Sequence, residues 1–140
     1  MSARSTWLWT AAVALAVAVP AIASAARAPT VTERAAIRQA IFDYVTNKGR
    51  PARPVVKRIL VSTRTLRARA SGPNRYRRFA RVDLDDPRAG FAAALLGYYV
   101  APISGWRVLS LGSAQVGCAM PARIFQGRKS EILGELRLRC

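Results

Sequence analysis

Thr30-Val31-Thr32-Glu33-Arg34-Ala35-Ala36-Ile37-Arg38-Gln39-Ala40-Ile41-Phe42-Asp43-Tyr44-Val45-Thr46-Asn47-Lys48-Gly49 carries the signals of a helix at both ends. Thr30 and Glu33 have capping-box spacing: the Thr30 hydroxyl accepts from an early helix N–H and the Glu33 carboxylate reaches back to the cap. Ile37, Ala40, Ile41, Tyr44 and Val45 recur at helical spacing and form one apolar face. Gly49 follows as a residue able to take the left-handed conformation that ends a helix. A helix over 31–46 is therefore expected. Phe42 lies off the stripe, so the helix is expected to be covered on two sides.

Beyond Pro51 and Pro54, which mark a linker, the period changes. Val55 to Thr63 is rich in β-branched residues and reads as a strand. Thr65 to Tyr76 is polar and arginine-rich, with Ser71-Gly72-Pro73-Asn74 as a turn. Phe79 to Leu84 reads as a second strand, ended by Asp85-Asp86-Pro87. Phe91 to Val100 mixes helix-favouring alanine and leucine with strand-favouring Tyr98-Tyr99-Val100. The tight Pro102-Ile103-Ser104-Gly105 segment before Trp106-Arg107-Val108-Leu109 decides for a hairpin, whose second strand stops at Gly112-Ser113. Pro121 starts a helical turn over 122–126. Leu136, Leu138 and Cys140 alternate with Arg137 and Arg139, the period of a half-buried strand. The expected architecture is α+β: one N-terminal helix packed on a curved antiparallel sheet of about four or five strands. This order is similar to that of cystatin-like and nuclear-transport-factor-like folds, a likeness of architecture that carries no function.

Working back from Thr30, the chain opens with the layout of a secretory signal: Arg4, an apolar run from Trp7 to Val19, a break at Pro20, and small residues through Ala26. Ala23 and Ala25 suit the peptidase pockets one and three residues before the cut. The reading is a signal peptide over 1–25 and one small α+β domain over 26–140, with cuts after Ala23 or Ala26 as neighbours. An uncleaved anchor is the competing reading, but residues 7–19 fall short of the roughly 20 that a spanning helix needs. No cysteine lies near the cut and no arginine pair precedes the apolar run, which favours general secretion without lipid attachment. The expected location is periplasmic or extracellular, with no transmembrane anchor left after cleavage.

Export makes a disulfide permissible. Cys118 and Cys140 are the two cysteines. One internal bond is the leading reading, worth roughly 3 kcal/mol by chain entropy; free thiols or a link between chains are the alternatives. Histidine is absent, which removes Ser-His-Asp and Cys-His catalysis and the commonest zinc ligand. The sequence calls for no metal, no cofactor and no catalytic residue.

The chain holds 23 basic and 7 acidic residues, a net +16, and loses only Arg4 among its charges with the leader. All the basic residues but Lys48, Lys57 and Lys129 are arginine, which grips phosphate and carboxylate with planar two-pronged contacts. The densest stretch runs from Lys48 to Arg81 with no acid inside it. Arg64, Arg67, Arg69, Arg75, Arg77, Arg78 and Arg81 are its anion-binding candidates. If they share a face they attract polyanions, while a solvated, merely arginine-rich surface is the bland reading. Tyr76 and Phe79 are interleaved, so a base or sugar is expected to stack there, although no specific nucleic-acid motif is present. Asp83, Asp85 and Asp86 form an acidic cluster without the spacing of an ion-binding loop, and Asp85-Asp86-Pro87 reads more simply as a turn. Glu131 and Glu135 serve as acid and base with Asp83 only if the fold gathers them. Trp106 reads as a core anchor against the helix.

Gly105-Trp106-Arg107-Val108, Gly112-Ser113, Cys118, Pro121 and Cys140, with Val61-Ser62-Thr63 and Ala80-Arg81-Val82, resemble small secreted bacterial proteins of uncharacterised function. The resemblance implies a secreted domain with a C-terminal cystine and brings no activity with it. The functional expectation is an exported, non-enzymatic cationic module for an anionic partner: an envelope polymer, a lipid head group or nucleic acid. The alternatives are a secreted histidine-independent hydrolase and an envelope protein-interaction module.

Overall fold

The computed structural model of the protein describes residues 25–49, 54–72, 74–86 and 90–140. The leader through residue 24, Arg50 to Arg53, Pro73 and Pro87 to Ala89 lie outside the described residues. Helix α1 spans Val31–Asn47 and is closed by the expected capping box, with the Thr30 side chain accepting from the Glu33 N–H and the Glu33 side chain accepting from the Thr30 N–H. It stops at Lys48, and Gly49 takes the left-handed conformation at φ 67°. Ile37, Ile41 and Val45 are its buried face.

Four strands follow as an antiparallel meander: β1 Val55–Val61, β2 Tyr76–Asp86, β3 Gly90–Tyr99 and β4 Gly105–Gly112, in the spatial order β1-β2-β3-β4. Side chains alternate across the sheet, and both faces are covered. On one face α1 packs over Ile59, Val61, Ala80, Val82, Leu84, Ala92, Ala94, Leu96 and Trp106. Trp106 is therefore the core anchor expected of it. On the other face Phe79, Ala93 and Leu95 meet a C-terminal layer built from the 3₁₀ turn Ala122–Phe125 and helix α2, Lys129–Glu135. Phe79 stacks on Phe125 at 4.7 Å between ring centroids. This second layer explains the apolar run Ala92 to Leu96: β3 is buried on both sides, so its sequence loses the alternation of a half-exposed strand.

The expected C-terminal strand does not exist. Leu136 caps α2, Arg137 turns left-handed at φ 56°, and the chain closes in a Schellman pair, Leu138 N–H to Leu133 O at 2.8 Å and Arg137 N–H to Gly134 O at 3.0 Å. Leu136 and Leu138 are both buried because this reversal folds Leu138 back over Leu133. A period of two in the sequence came from a helix cap. The Cys118–Cys140 disulfide is formed and ties the end of the chain to the loop after β4. Tyr98 and Tyr99 point to opposite faces of the sheet, and neither is exposed. Tyr98 packs against Trp106, while Tyr99 is only 9% exposed.

One close fit sets a local limit. A bulge between Tyr76 and Phe79 adds a residue to β2, and the Tyr76 ring settles over Gly97 on β3. A Cβ at Gly97 would stand 2.5 Å from Tyr76 Cδ1 and 3.0 Å from Leu109 Cδ1. Gly97→Ala should therefore cost about 1–3 kcal/mol, read as a lower urea midpoint at unchanged slope. Cys118→Ser with Cys140→Ser should cost about 3 kcal/mol, the loop-closure entropy of the free chain, with the far-ultraviolet spectrum of the folded state retained.

Candidate functional site

The residues between β1 and β2 continue the sheet beyond its core as an irregular hairpin. Ser62 N–H bonds Phe79 O, Leu66 N–H bonds Arg77 O, and Arg69 N–H bonds Asn74 O. Leu66 is buried in the C-terminal layer, and Gln126 donates to Arg67 O at 2.7 Å, so the extension is docked on the 3₁₀ turn. Most of the candidate arginines sit on it or at its root, and the structure sorts them by partner.

Arg78, Arg81 and Arg64 hold the fold together. Arg78 lies on the α1 side, donating to Glu33 at 3.1 Å and to Thr65 Oγ1 at 3.0 Å, with its Nε buried and without a partner. Glu33 also takes both prongs of Arg27 at 2.7 Å. Arg27 is itself fixed by a backbone bridge to Val61. One carboxylate thus joins the entering chain, the N-terminus of α1 and β2. These donors, Arg27 foremost, hold the Glu33 carboxyl down to about 2. Arg81 lies on the opposite face, bonded to Asp83 at 2.6 Å and to the carbonyls of Leu136 and Arg137, and so closes the C-terminus of α2. Arg64 pairs with Glu131 at 3.1 Å.

Arg67, Arg69 and Arg77 are exposed and have no carboxylate partner among the described residues. Arg77 borders a groove of about 570 Å³ between the start of α1 and the start of β4, with Thr32, Ser104 and Trp106 on its walls. Arg75 is half-buried: its Nε donates to Gly72 O, and its Nη1 donates to the Tyr99 hydroxyl. Beside it stands Arg107, which the sequence reading left out of the site. Its guanidinium carbon sits 4.1 Å above the centre of the Tyr99 ring. Its only signal in the sequence is isolation, as the one charged residue between Ala89 and Ala122. Burial pushes the Tyr76 hydroxyl up in this corner, against the field of Arg107 and Arg75.

Two expectations about aromatic and acidic residues change. Phe79 is fully buried, so it offers no stacking surface; the ring that interleaves the arginines is Tyr99. Glu131 and Glu135 do line one cleft of about 450 Å³ with Arg58, Arg64 and Arg137, and Asp83 is not among its walls. Glu135 there accepts from Ser62 Oγ, Thr63 N–H and Thr63 Oγ1, which ties α2 to the end of β1. Asp85 pairs with Lys57 at 3.5 Å across β1 and β2.

No protein-family model matches the chain, and no curated protein or solved structure matches it.

The Glu33 junction gives a prediction with a defined sign. Its carboxyl is depressed from an unfolded value near 4.3 to about 2, so its contribution is complete above the unfolded value and lost as pH falls through about 2. Glu33→Gln should lower stability at pH 7 by about 1–2 kcal/mol. It should also flatten the acid branch of the stability curve between pH 5 and pH 2, measured by denaturant melts at each pH.

Proposed function

We propose that this chain is an exported, disulfide-bonded cationic domain that binds an anionic polymer through the arginine extension between β1 and β2. The observation that carries this reading is the division among the arginines. Arg64, Arg78 and Arg81 are paired with carboxylates, whereas Arg67, Arg69 and Arg77 face solvent with no carboxylate within ion-pair distance among the described residues. Such a surface raises the local concentration of polyanions and speeds their encounter. Export is supported by the leader pattern of residues 1–25 and is consistent with the cystine; no helix among the described residues is long and apolar enough to cross a membrane. Binding is favoured over hydrolysis because Glu131 and Glu135, the carboxylates placed in a cleft, are already engaged by Arg64, Ser62 and Thr63. An envelope polymer is favoured over nucleic acid because Phe79 is buried and the Tyr76 ring is packed over Gly97 and against Tyr99, which leaves little platform for a base.

The chain without its leader should be retained on heparin and released by salt. Replacing Arg67, Arg69 and Arg77 together with alanine should lower the eluting salt concentration clearly and reduce the salt slope of binding by up to about 1 per lost contact. The exposed trio Arg34, Arg38 and Arg123, replaced in the same way, removes equal charge elsewhere and should shift elution far less. Equal shifts for both trios would defeat the reading, since only bulk charge would then matter.

A further inference from the structure

We propose that Arg75, Tyr99 and Arg107 form a clamp for a tetrahedral oxyanion, the phosphate or sulfate group of the polymer. This rests on the polyanion reading above and names the chemistry that its most ordered point recognises. The register of the sheet puts the end of β3 beside the starts of β2 and β4: Tyr76 pairs with Tyr99, and Tyr99 with Gly105. Arg107 sits opposite Gly97, a position with no side chain to hold its guanidinium away from Tyr99. The result is one tyrosine ring carrying two guanidinium groups, Arg107 at 4.1 Å and Arg75 at 5.8 Å from the centroid.

Two like charges over one ring repel each other, and cation–π attraction of about 0.5–1 kcal/mol at exposed sites offsets that only in part. Elsewhere in this fold, arginines held in defined geometry face a carboxylate, as Arg27, Arg64, Arg78 and Arg81 do. Neither Arg75 nor Arg107 has a carboxylate within ion-pair distance among the described residues. Their donors are also only partly used. Arg75 spends Nε on Gly72 O and Nη1 on the Tyr99 hydroxyl, which leaves Nη2. Among the described residues Arg107 gives Nη2 to Ile103 O at 3.5 Å, which leaves Nε and Nη1. Tyr99 accepts from Arg75, so its own hydroxyl proton is free to donate. A carboxylate brings one charge and two oxygens to this arrangement. A phosphate monoester or a sulfate ester brings three terminal acceptor oxygens, and the phosphate monoester, close to a dianion at pH 7, also neutralises both cations.

The test uses the full chain without its leader, with pyrophosphate, sulfate and acetate titrated at fixed ionic strength and followed by calorimetry and melting temperature. Pyrophosphate, sulfate or both should bind and raise the melting temperature, and acetate should not. A preference between the first two assigns a phosphorylated or a sulfated polymer as the source. Arg107→Ala should weaken binding about tenfold and Tyr99→Phe several-fold, while Arg34→Ala binds as the parent chain does. Arg107→Lys keeps the charge, loses the planar fork, and should also bind more weakly. Acetate matching sulfate overturns the clamp, as does Arg107→Ala binding unchanged with its near-ultraviolet spectrum intact. Heparin retention without any small-anion effect sinks the clamp alone; no heparin retention sinks the polyanion reading beneath it.

Discussion

The chain sets seven carboxylates against 23 cations, and five of the seven join elements of the fold. Glu33 gathers Arg27 and Arg78 at the entrance to α1. Asp83 orients Arg81 toward the last carbonyls of α2. Asp85 faces Lys57 across the first strand pair, Glu131 holds Arg64 beside α2, and Glu135 fastens α2 to Ser62 and Thr63. These contacts join elements that the chain order keeps apart. An exposed pair adds at most about 1 kcal/mol, but Glu33 is only 18% exposed and is shared by three donors, so its removal strands Arg27 and Arg78 together.

The same allocation shapes the outside of the molecule. Acids engaged in these pairs leave other arginines without a carboxylate partner among the described residues, so the excess charge is displayed at the surface. The extension between β1 and β2 is one such surface. Its backbone is paired and its Leu66 is buried, so its arginines are presented on an ordered strut. Ordering in advance would lower the entropy lost in the binding proposed above.

How much of this could be read from the residues depended on the range of the signal. Helix α1 was legible because its cap, its stripe and its stop all lie within one stretch. The meander was legible from β-branched runs and from the Pro102–Gly105 turn. The C-terminal layer was not, because its evidence is tertiary: β3 reads as ambiguous when both faces are covered, and Leu136-Arg137-Leu138 imitates a strand when Arg137 takes a left-handed φ that sequence does not disclose. The candidate arginines were found as a group and could not be sorted, since the difference between Arg77 and Arg78 is which acid lies across the fold. Arg107 was passed over because density was the signal, and a lone charge has none.

That lone charge bears most directly on what the surface recognises. From Ala89 to Ala122 the chain carries no acid at all, so a cation placed on β4 meets no carboxylate on its own strand or on β3. It meets Tyr99, and through Tyr99 it meets Arg75. Arg75 is held by Gly72 O and the Tyr99 hydroxyl, whereas a folding chain gains little from keeping the exposed Arg107 over the same ring when it could turn to water. An outside anion changes that balance, because it converts the repulsion between them into shared attraction. The geometry is fixed by the sheet register and by the close fit of Tyr76 on Gly97, both of which belong to the core. Under the clamp proposed above, recognition at this corner would be coupled to packing, because the register that places the rings also places Arg75 and Arg107 beside them.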